Sequence, residues 1–264
     1  MTNKYRLRVA GAGLFALLLA PAAALAQVSP SLGTAGTYSV LAGSTVTNTG
    51  STTINGDVGI SPGIGPTPHF SGFDTVALGG TMQDATTAAA NAQGDKNTAF
   101  AALDQGCTIT YIGAFKELAG TTLVPGVYCA TQFRLSSGTL TLSGGASDVW
   151  VFKSSSDLII TGGAAAGVTS PSCNVWWRVV SSATFDAGSS LVGNILADTS
   201  ITLASGASLS GRALARTAEV TLSSNTISAC AIPVPTLPQW GFVMMALLLT
   251  GVGVAAVRHR RSLA

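Results

Sequence analysis

Residues 193–210 read GNILADTSITLASGASLS, and residues 211–224, GRALARTAEVTLSS, begin the same phrase again. A unit that returns to itself after eighteen residues is one coil of a β-solenoid. One period earlier, residues 175–192, VWWRVVSSATFDAGSSLV, fit the same template, with Trp177 over Ile195, Phe185 over Leu203, Gly188 over Gly206 and Leu191 over Leu209. Such units cannot bury an apolar face alone, so equivalent residues must stack into ladders of uniform chemistry. Trp177/Ile195/Ala213 and Phe185/Leu203/Leu222 are apolar and are assigned inward. The second ladder needs one extra residue in the final coil, which places a bulge at Glu219.

Upstream, VWVFKSSSDLIITGG (149–163) reads as a further coil with Trp150, Val151 and Ile159 inward. Trp150 and Trp176 are 26 residues apart, and the excess over eighteen falls in GGAAAGVTSPSC (162–173) as an eight-residue loop insertion. From Tyr38 to Ile60 short β-rich runs, TYSVLAG, STVTNTG and STTINGDVGI, are broken by Gly, Asn and Ser. These strands are expected to supply more coils or a cap on an open end. Between them and the repeats, Ala85, Ala89, Ala92, Lys96, Ala99, Phe100 and Leu103 recur at helical spacing, which predicts one Ala-rich helix over about 84–105 against a flank of the solenoid. Gly94 weakens that helix by about 1 kcal/mol relative to Ala, so packing must hold it.

The ends have a different composition. Residues 1–26 carry Lys4, Arg6 and Arg8, an apolar run from Val9 to Leu19, and Ala24-Leu25-Ala26 as a small-residue cleavage site, the pattern of a secretory signal peptide cut after Ala26. The other reading, an uncleaved anchor, suits it less, because the run is short and stops at Pro21. At the other end, residues 241–257 are uncharged and are followed by Arg258, His259, Arg260 and Arg261: a membrane-spanning helix whose basic end stays cytoplasmic. Both ends together hold six of the thirteen Lys and Arg and none of the eleven acids. The domain between them, 27–232, keeps seven basic residues against eleven acidic ones, a net charge of −4. Such a domain offers no electrostatic footprint for nucleic acid.

Cys107, Cys129, Cys173 and Cys230 all lie in the exported zone, and an even count in an oxidising compartment reads first as disulfides. Three pairings are possible; Cys107 with Cys129 and Cys173 with Cys230 are favoured, the second closing a long loop at the fraying end of the stack. A zinc site is the sharper alternative, but there is no CxxC pair and the domain holds only His69. That histidine, between Pro68 and Phe70, reads as structural or exposed, and Gly79-Gly80 and Gly162-Gly163 read as turns. A solenoid lyase or hydrolase would need converging carboxylates, whereas Asp186 aligns with Ala204 and Asp198 with Val180, so with Asp157 they read as loop and edge residues. Alternation places one ring of Trp176-Trp177 outward, a single surface for stacking a sugar.

The opening LGTAGTYSVLAGS (32–44), the Ala-rich helix, VPGVY (124–128) and the terminal coils NILA-x-TSITL and GRALARTAEVTL together resemble the ice-binding-like (antifreeze) domain of bacteria and fungi over about Leu32 to Cys230. That resemblance implies an all-β fold, a discontinuous right-handed parallel β-helix of triangular section with one long helix alongside. It also implies adsorption to ice, with no enzyme activity and no cofactor. The expected ice-contact face is the rows Ser182/Ser200/Ala218 and Thr184/Thr202/Thr221, flanked by Ser181/Thr199/Thr217. Thr suits the task because its branched side chain is stiff and presents one methyl and one hydroxyl, and parallel coils repeat it at about 4.8 Å. Glu219 and the coil with Ser156 and Leu158 interrupt these rows. A surface or matrix protein binding polysaccharide or other proteins is the alternative function. The tail, with Val234-Pro235-Thr236-Leu237 and Trp240-Gly241, resembles the IPTL-CTERM sorting signal, which implies recognition by an exosortase-type enzyme; a plain single-pass anchor is the other reading.

Overall fold

The structure, a computed structural model, describes residues 27–163, 166–170 and 174–229. The two terminal targeting segments and the Cys173–Cys230 pairing therefore lie outside the described residues. Among the described residues no helix is long and apolar enough to cross a membrane.

Parallel strands wind through eight coils with three faces. Coil 1 comprises Tyr38–Ala42, Val46–Thr49 and Thr52–Asn55; coil 2 comprises Asp57–Ile60, Phe70–Ser71 and Val76–Leu78. The strand Met82–Asp84 then pairs with Asp57–Ile60 as the outermost rung beyond coil 2, and the helix Thr87–Ala102 leads on to coil 3 (Ile109–Thr110, Lys116–Glu117, Thr122–Leu123), coil 4 (Gly126–Ala130, Phe133–Leu135, Gly138–Leu142) and coil 5 (Trp150–Ser154, Leu158–Ile160, Ala166–Thr169). Coil 6 begins with Val175–Val179 and Ala183–Phe185. The long strands Ser190–Ala197 and Ser208–Ala215 then carry the chain around a corner from coil 6 to 7 and from 7 to 8, with Ile201–Leu203 between them. Val220–Ser223 and Thr226–Ser228 complete coil 8. Gly193 and Gly211 sit at those corners, where coils touch. A Cβ on Gly193 would lie 2.7 Å from the Val175 carbonyl oxygen, and one on Gly211 would collide with the Gly193 carbonyl.

The stack does not follow the chain. Coil 8 pairs with coil 1 through Ala213–Val40, Thr221–Thr47 and Ile227–Ile54, and coil 2 lies beyond coil 1, so the spatial order is 2-1-8-7-6-5-4-3. The N-terminal strands are thus full coils at one end, and the helix returns the chain to the other. Glu219 accordingly sits in the middle of the stack, not in its last rung. Its bulge is real: Ile201 pairs with Val220 although Ala197 pairs with Ala215, one residue more than the period.

Inward ladders hold the coils together. Trp177, Ile195, Ala213 and Val40 pair in sequence, and each is at most 1% exposed. Phe152 and Trp177 stack at 4.2 Å between centroids, and Tyr128 stacks on Phe152 at 5.5 Å. Burying each such large side chain contributes about 1.5–3 kcal/mol.

On the first face, which carries the opening strand of every coil, the other side is covered too. Leu41, Leu214, Leu196, Trp176, Val151 and Val127 pack with Ala92 and Ala99 of the helix and with Leu103 at its C-terminal cap in a second apolar cluster. Strands buried on both sides read as continuous apolar runs, as YSVLA and GVYCA do. This overturns the expectation of an exposed tryptophan ring. Trp177 lies in the core and donates its Nε1 hydrogen to the Val192 carbonyl at 3.1 Å, while Trp176, 0% exposed, lies under the helix. The alternation held, but the flank it points to is not open to solvent. Coil 5 also pairs one residue differently from the reading above: Trp150 meets Val175, a step of 25 residues and not 26. Val151 consequently packs on the helix side, and on the second face Leu158 and Ile160 point inward while Ile159 points out.

The helix is shorter than the periodicity suggested. Asp84 ends a strand, Ala85 has φ 52°, and Thr86 caps the helix by accepting from the Ala89 N–H at 3.2 Å. Cys107 is bonded to Cys129 with a Cα–Cα distance of 5.9 Å, tying the chain just past the helix to coil 4.

Candidate functional site

The second face is a flank with no helix over it among the described residues. Its strands are two to four residues long; the three-residue strands present one residue outward between two inward neighbours, and Val46–Thr49 and Val220–Ser223 present a second, Thr49 and Ser223. The inward pairs Ala183/Phe185, Ile201/Leu203 and Val220/Leu222 are all at most 2% exposed and form a rigid backing. The outward ladder, from coil 3 to coil 2, is Glu117, Arg134, Ile159, Thr184, Thr202, Thr221, Thr47 and Ser71. Four threonines therefore occupy adjacent rungs, a row of about 14 Å at about 4.8 Å per rung.

The sequence-predicted residues fall into three sets. Thr184, Thr202 and Thr221 lie in the outward ladder. Ser182 and Ser200 form the row beside it, with their hydroxyl oxygens 2.9 Å apart. Ala218 and Glu219 together oppose Ser200, since Ala218 donates to the Thr199 carbonyl and Ile201 donates to the Glu219 carbonyl, so the extra residue carries an exposed carboxylate into this row. Ser181, Thr199 and Thr217 lie at the corner that enters the face, where the Thr217 hydroxyl donates back to the Asp198 carbonyl at 2.7 Å.

Thr47 and Ser71 were missed, together with Thr45, whose carbonyl accepts from Val220 beside the serine row. Thr47 stands in the alternating run STVTNTG, and its hydroxyl reaches that of Thr221 at 3.4 Å across 174 residues of chain. The local alternation was visible; the neighbour was not. Leu158, read above as breaking the threonine row, is an inward residue, and Ile159 occupies that rung.

Coils 3 to 5 bear a different chemistry on the same face. The Arg134 guanidinium lies 4.4 Å over the Phe115 ring and donates to Gln132 at 2.8 Å. Glu117 accepts from Ser136 and from the Leu118 and Ala119 amides. Burial pushes the Asp157 carboxyl up, but hydrogen bonds from Ser156, Ser181, Ser182 and Gln132 outweigh it and hold the group below its usual range. Asp186 caps the Ala187 amide at 3.1 Å and Asp198 pairs with Arg216. Each of these acids serves a local contact, and none meets another across a groove. His69 is 6% exposed, with Nδ1 2.6 Å from Asp84 and Nε2 3.1 Å from the Gly65 carbonyl, so it clamps the loop of coil 2.

A family model described as ice-binding-like matches residues 40–228. An ice-binding protein of Nostoc sp. (strain HG1) is 39% identical over 178 residues, covering 65% of this chain and 63% of that protein, so the match spans less than two thirds of that relative. Ice-binding protein K3-B1 of Typhula ishikariensis is 32% identical over 219 residues, covering 72% of this chain and 85% of its own. The crystal structure of an ice binding protein from an Antarctic biological consortium superposes with a TM-score of 0.71 at 36% identity, covering 79% of this chain and 95% of that one. With its stacked parallel coils, its flanking helix and a family match over most of its length, the chain belongs to the ice-binding-like family.

Proposed function

We propose that the protein is exported and binds ice through the second face, with Thr184, Thr202, Thr221 and Thr47 at the centre of the contact. The observation that carries this reading is the row of four threonines on adjacent parallel rungs above a fully buried backing. Stiff Thr side chains at fixed spacing hold surface water in a regular array at little entropic cost, because few rotamers remain to be lost. Adsorbed molecules pin the ice front, which slows recrystallisation and lowers the freezing point. Adsorption of this kind requires no bond to be made or broken, and no cofactor.

The targeting segments support export: residues 1–26 as a signal peptide, 27–232 as the ice-binding domain, and 233–264 as a sorting tail with a spanning segment at 241–257 that an exosortase-type enzyme removes. Until removal, the tail would hold the domain on the far side of the inner membrane.

Thermal hysteresis and ice recrystallisation of the purified protein test the reading. The wild type should be active, and Thr202→Tyr or Ser200→Tyr should lose most of the activity at unchanged fold, since one bulky ring lifts the flat face off its plane. Equal activity in those variants would move the site to another face.

A further inference from the structure

The helix meets the solenoid through a ladder of polar contacts as regular as the coils themselves. Gln93 Nε2 donates to the Ala215 carbonyl of coil 8 at 2.9 Å, and Lys96 Nζ donates to the Ala197 carbonyl of coil 7 at 2.9 Å. Further along, Arg178 of coil 6 donates to the Phe100 carbonyl at 3.1 Å, and Lys153 of coil 5 to the Gln105 carbonyl at 2.6 Å. Consecutive coils thus meet the helix segment at positions 93, 96, 100 and 105. A helical turn advances about 5.4 Å and a rung about 4.8 Å, so the two repeats stay nearly in step over the three coils met at 93, 96 and 100, and Gln105 follows just past the helix end.

The direction of donation reverses midway. Toward coils 5 and 6 the solenoid supplies cations to carbonyls at and beyond the helix C-terminus, where the helix dipole favours them. Toward coils 7 and 8 the helix supplies buried donors to the solenoid. Gln93 is 8% exposed and Lys96 0%, and in neither case is the acceptor a carboxylate; both reach backbone carbonyls. Holding an amine in such a place costs free energy that an apolar side chain would not incur.

The two carbonyls chosen are the last residues of Ser190–Ala197 and Ser208–Ala215, at the corner from which the chain enters the second face. Ala197 also accepts from the Arg216 amide at 3.0 Å, so the Lys96 contact fastens coils 7 and 8 together at one point. Five residues after Ala197 comes Thr202, and six after Ala215 comes Thr221, with the Glu219 bulge in between. This corner is where the extra residue threatens the rung spacing.

We propose that Gln93 and Lys96 are positioning residues for the ice face: by fixing the Ala215 and Ala197 carbonyls, they hold the corners of coils 8 and 7 so that Thr221 and Thr202 stay in line. The proposal rests on the second face being the ice contact. It is tested in the full chain with Lys96→Met and Gln93→Leu, which keep the stems and remove the donors, beside Leu103→Ala, which removes buried apolar contact under the same helix, and Thr202→Tyr. Thermal hysteresis at equal concentration of folded protein is read together with the melting temperature. Lys96→Met and Gln93→Leu should each lose at least half the hysteresis with a melting temperature equal to or above wild type, whereas Leu103→Ala should melt lower and keep its hysteresis. Hydrogen exchange should report faster amides at Ile201 and Val220 in Lys96→Met. If Lys96→Met does not fold, Gln93→Leu decides. Full hysteresis in both donor variants, with Thr202→Tyr inactive, overturns the positioning role and leaves the ice face standing. A hysteresis loss that only tracks melting temperature across all variants overturns it as well. An inactive wild type, or an active Thr202→Tyr, overturns the face and this inference with it.

Discussion

Coils 4 and 5 and coils 6 to 8 carry the same three-residue core of second-face strand, with an inward residue on either side of an outward one, yet their outward residues share nothing. Phe133/Leu135 and Leu158/Ile160 flank Arg134 and Ile159; Ala183/Phe185, Ile201/Leu203 and Val220/Leu222 flank Thr184, Thr202 and Thr221. In coils 4 and 5 the outward position holds a cation engaged by Gln132 and Phe115, then an apolar Ile, whereas in coils 6 to 8 it holds a hydroxyl on every rung. Packing therefore needs only the inward pair, which leaves the outward position free to serve recognition. A continuous Thr row at that position is not required by the fold, and so it calls for an explanation in function.

The inward and outward positions of a single strand should differ most in what they cost when truncated. Leu203→Ala, in the core of coil 7, should cost about 2–5 kcal/mol in urea unfolding, while its neighbour Thr202→Ala should change stability by no more than about 0.5 kcal/mol. Comparable losses in both would mean that the outward row is structural after all.

A smaller effect distinguishes how the helix holds the two halves. Desolvation lowers the Lys96 amine from 10.5 to about 7, partly opposed by Asp198. In the unfolded chain the amine keeps its ordinary value, so between about pH 7 and 10.5 the unfolded state binds more protons. Stability should rise with pH across that window and fall as pH drops through 7. The difference in unfolding free energy between wild type and Lys96→Met should follow this course, growing in favour of wild type from pH 6.5 to 9.5. A flat difference would mean that the amine is not buried against the threonine half.

Much of this architecture was legible in the residues. The eighteen-residue return placed Trp177/Ile195/Ala213 and Phe185/Leu203/Leu222 inward because a buried ladder tolerates no mixed chemistry, and the nineteen-residue step to Leu222 exposed the bulge at Glu219. What escaped was long-range or masked by context. Nothing local in STVTNTG says that Thr47 lies beside Thr221, because that pairing is made when coil 1 closes on coil 8. The Trp176-Trp177 pair alternates as expected, but both sides of that strand are covered, which no single strand reveals. The register of coil 5 is not legible locally, because its insertion has no marker to say which of its residues are the extra ones, and a shift of one turns Ile159 from core to surface.

On the proposed reading, ice is held by the threonine half of the second face, including the rung contributed by the N-terminal coil. Thermal hysteresis of Thr47→Tyr beside Arg134→Tyr separates the two halves, as both place the same ring on the same face, each one rung in from an end of the outward ladder. Thr47→Tyr should lose most of the hysteresis while Arg134→Tyr keeps it. Full activity in Thr47→Tyr, or loss confined to Arg134→Tyr, would contradict it.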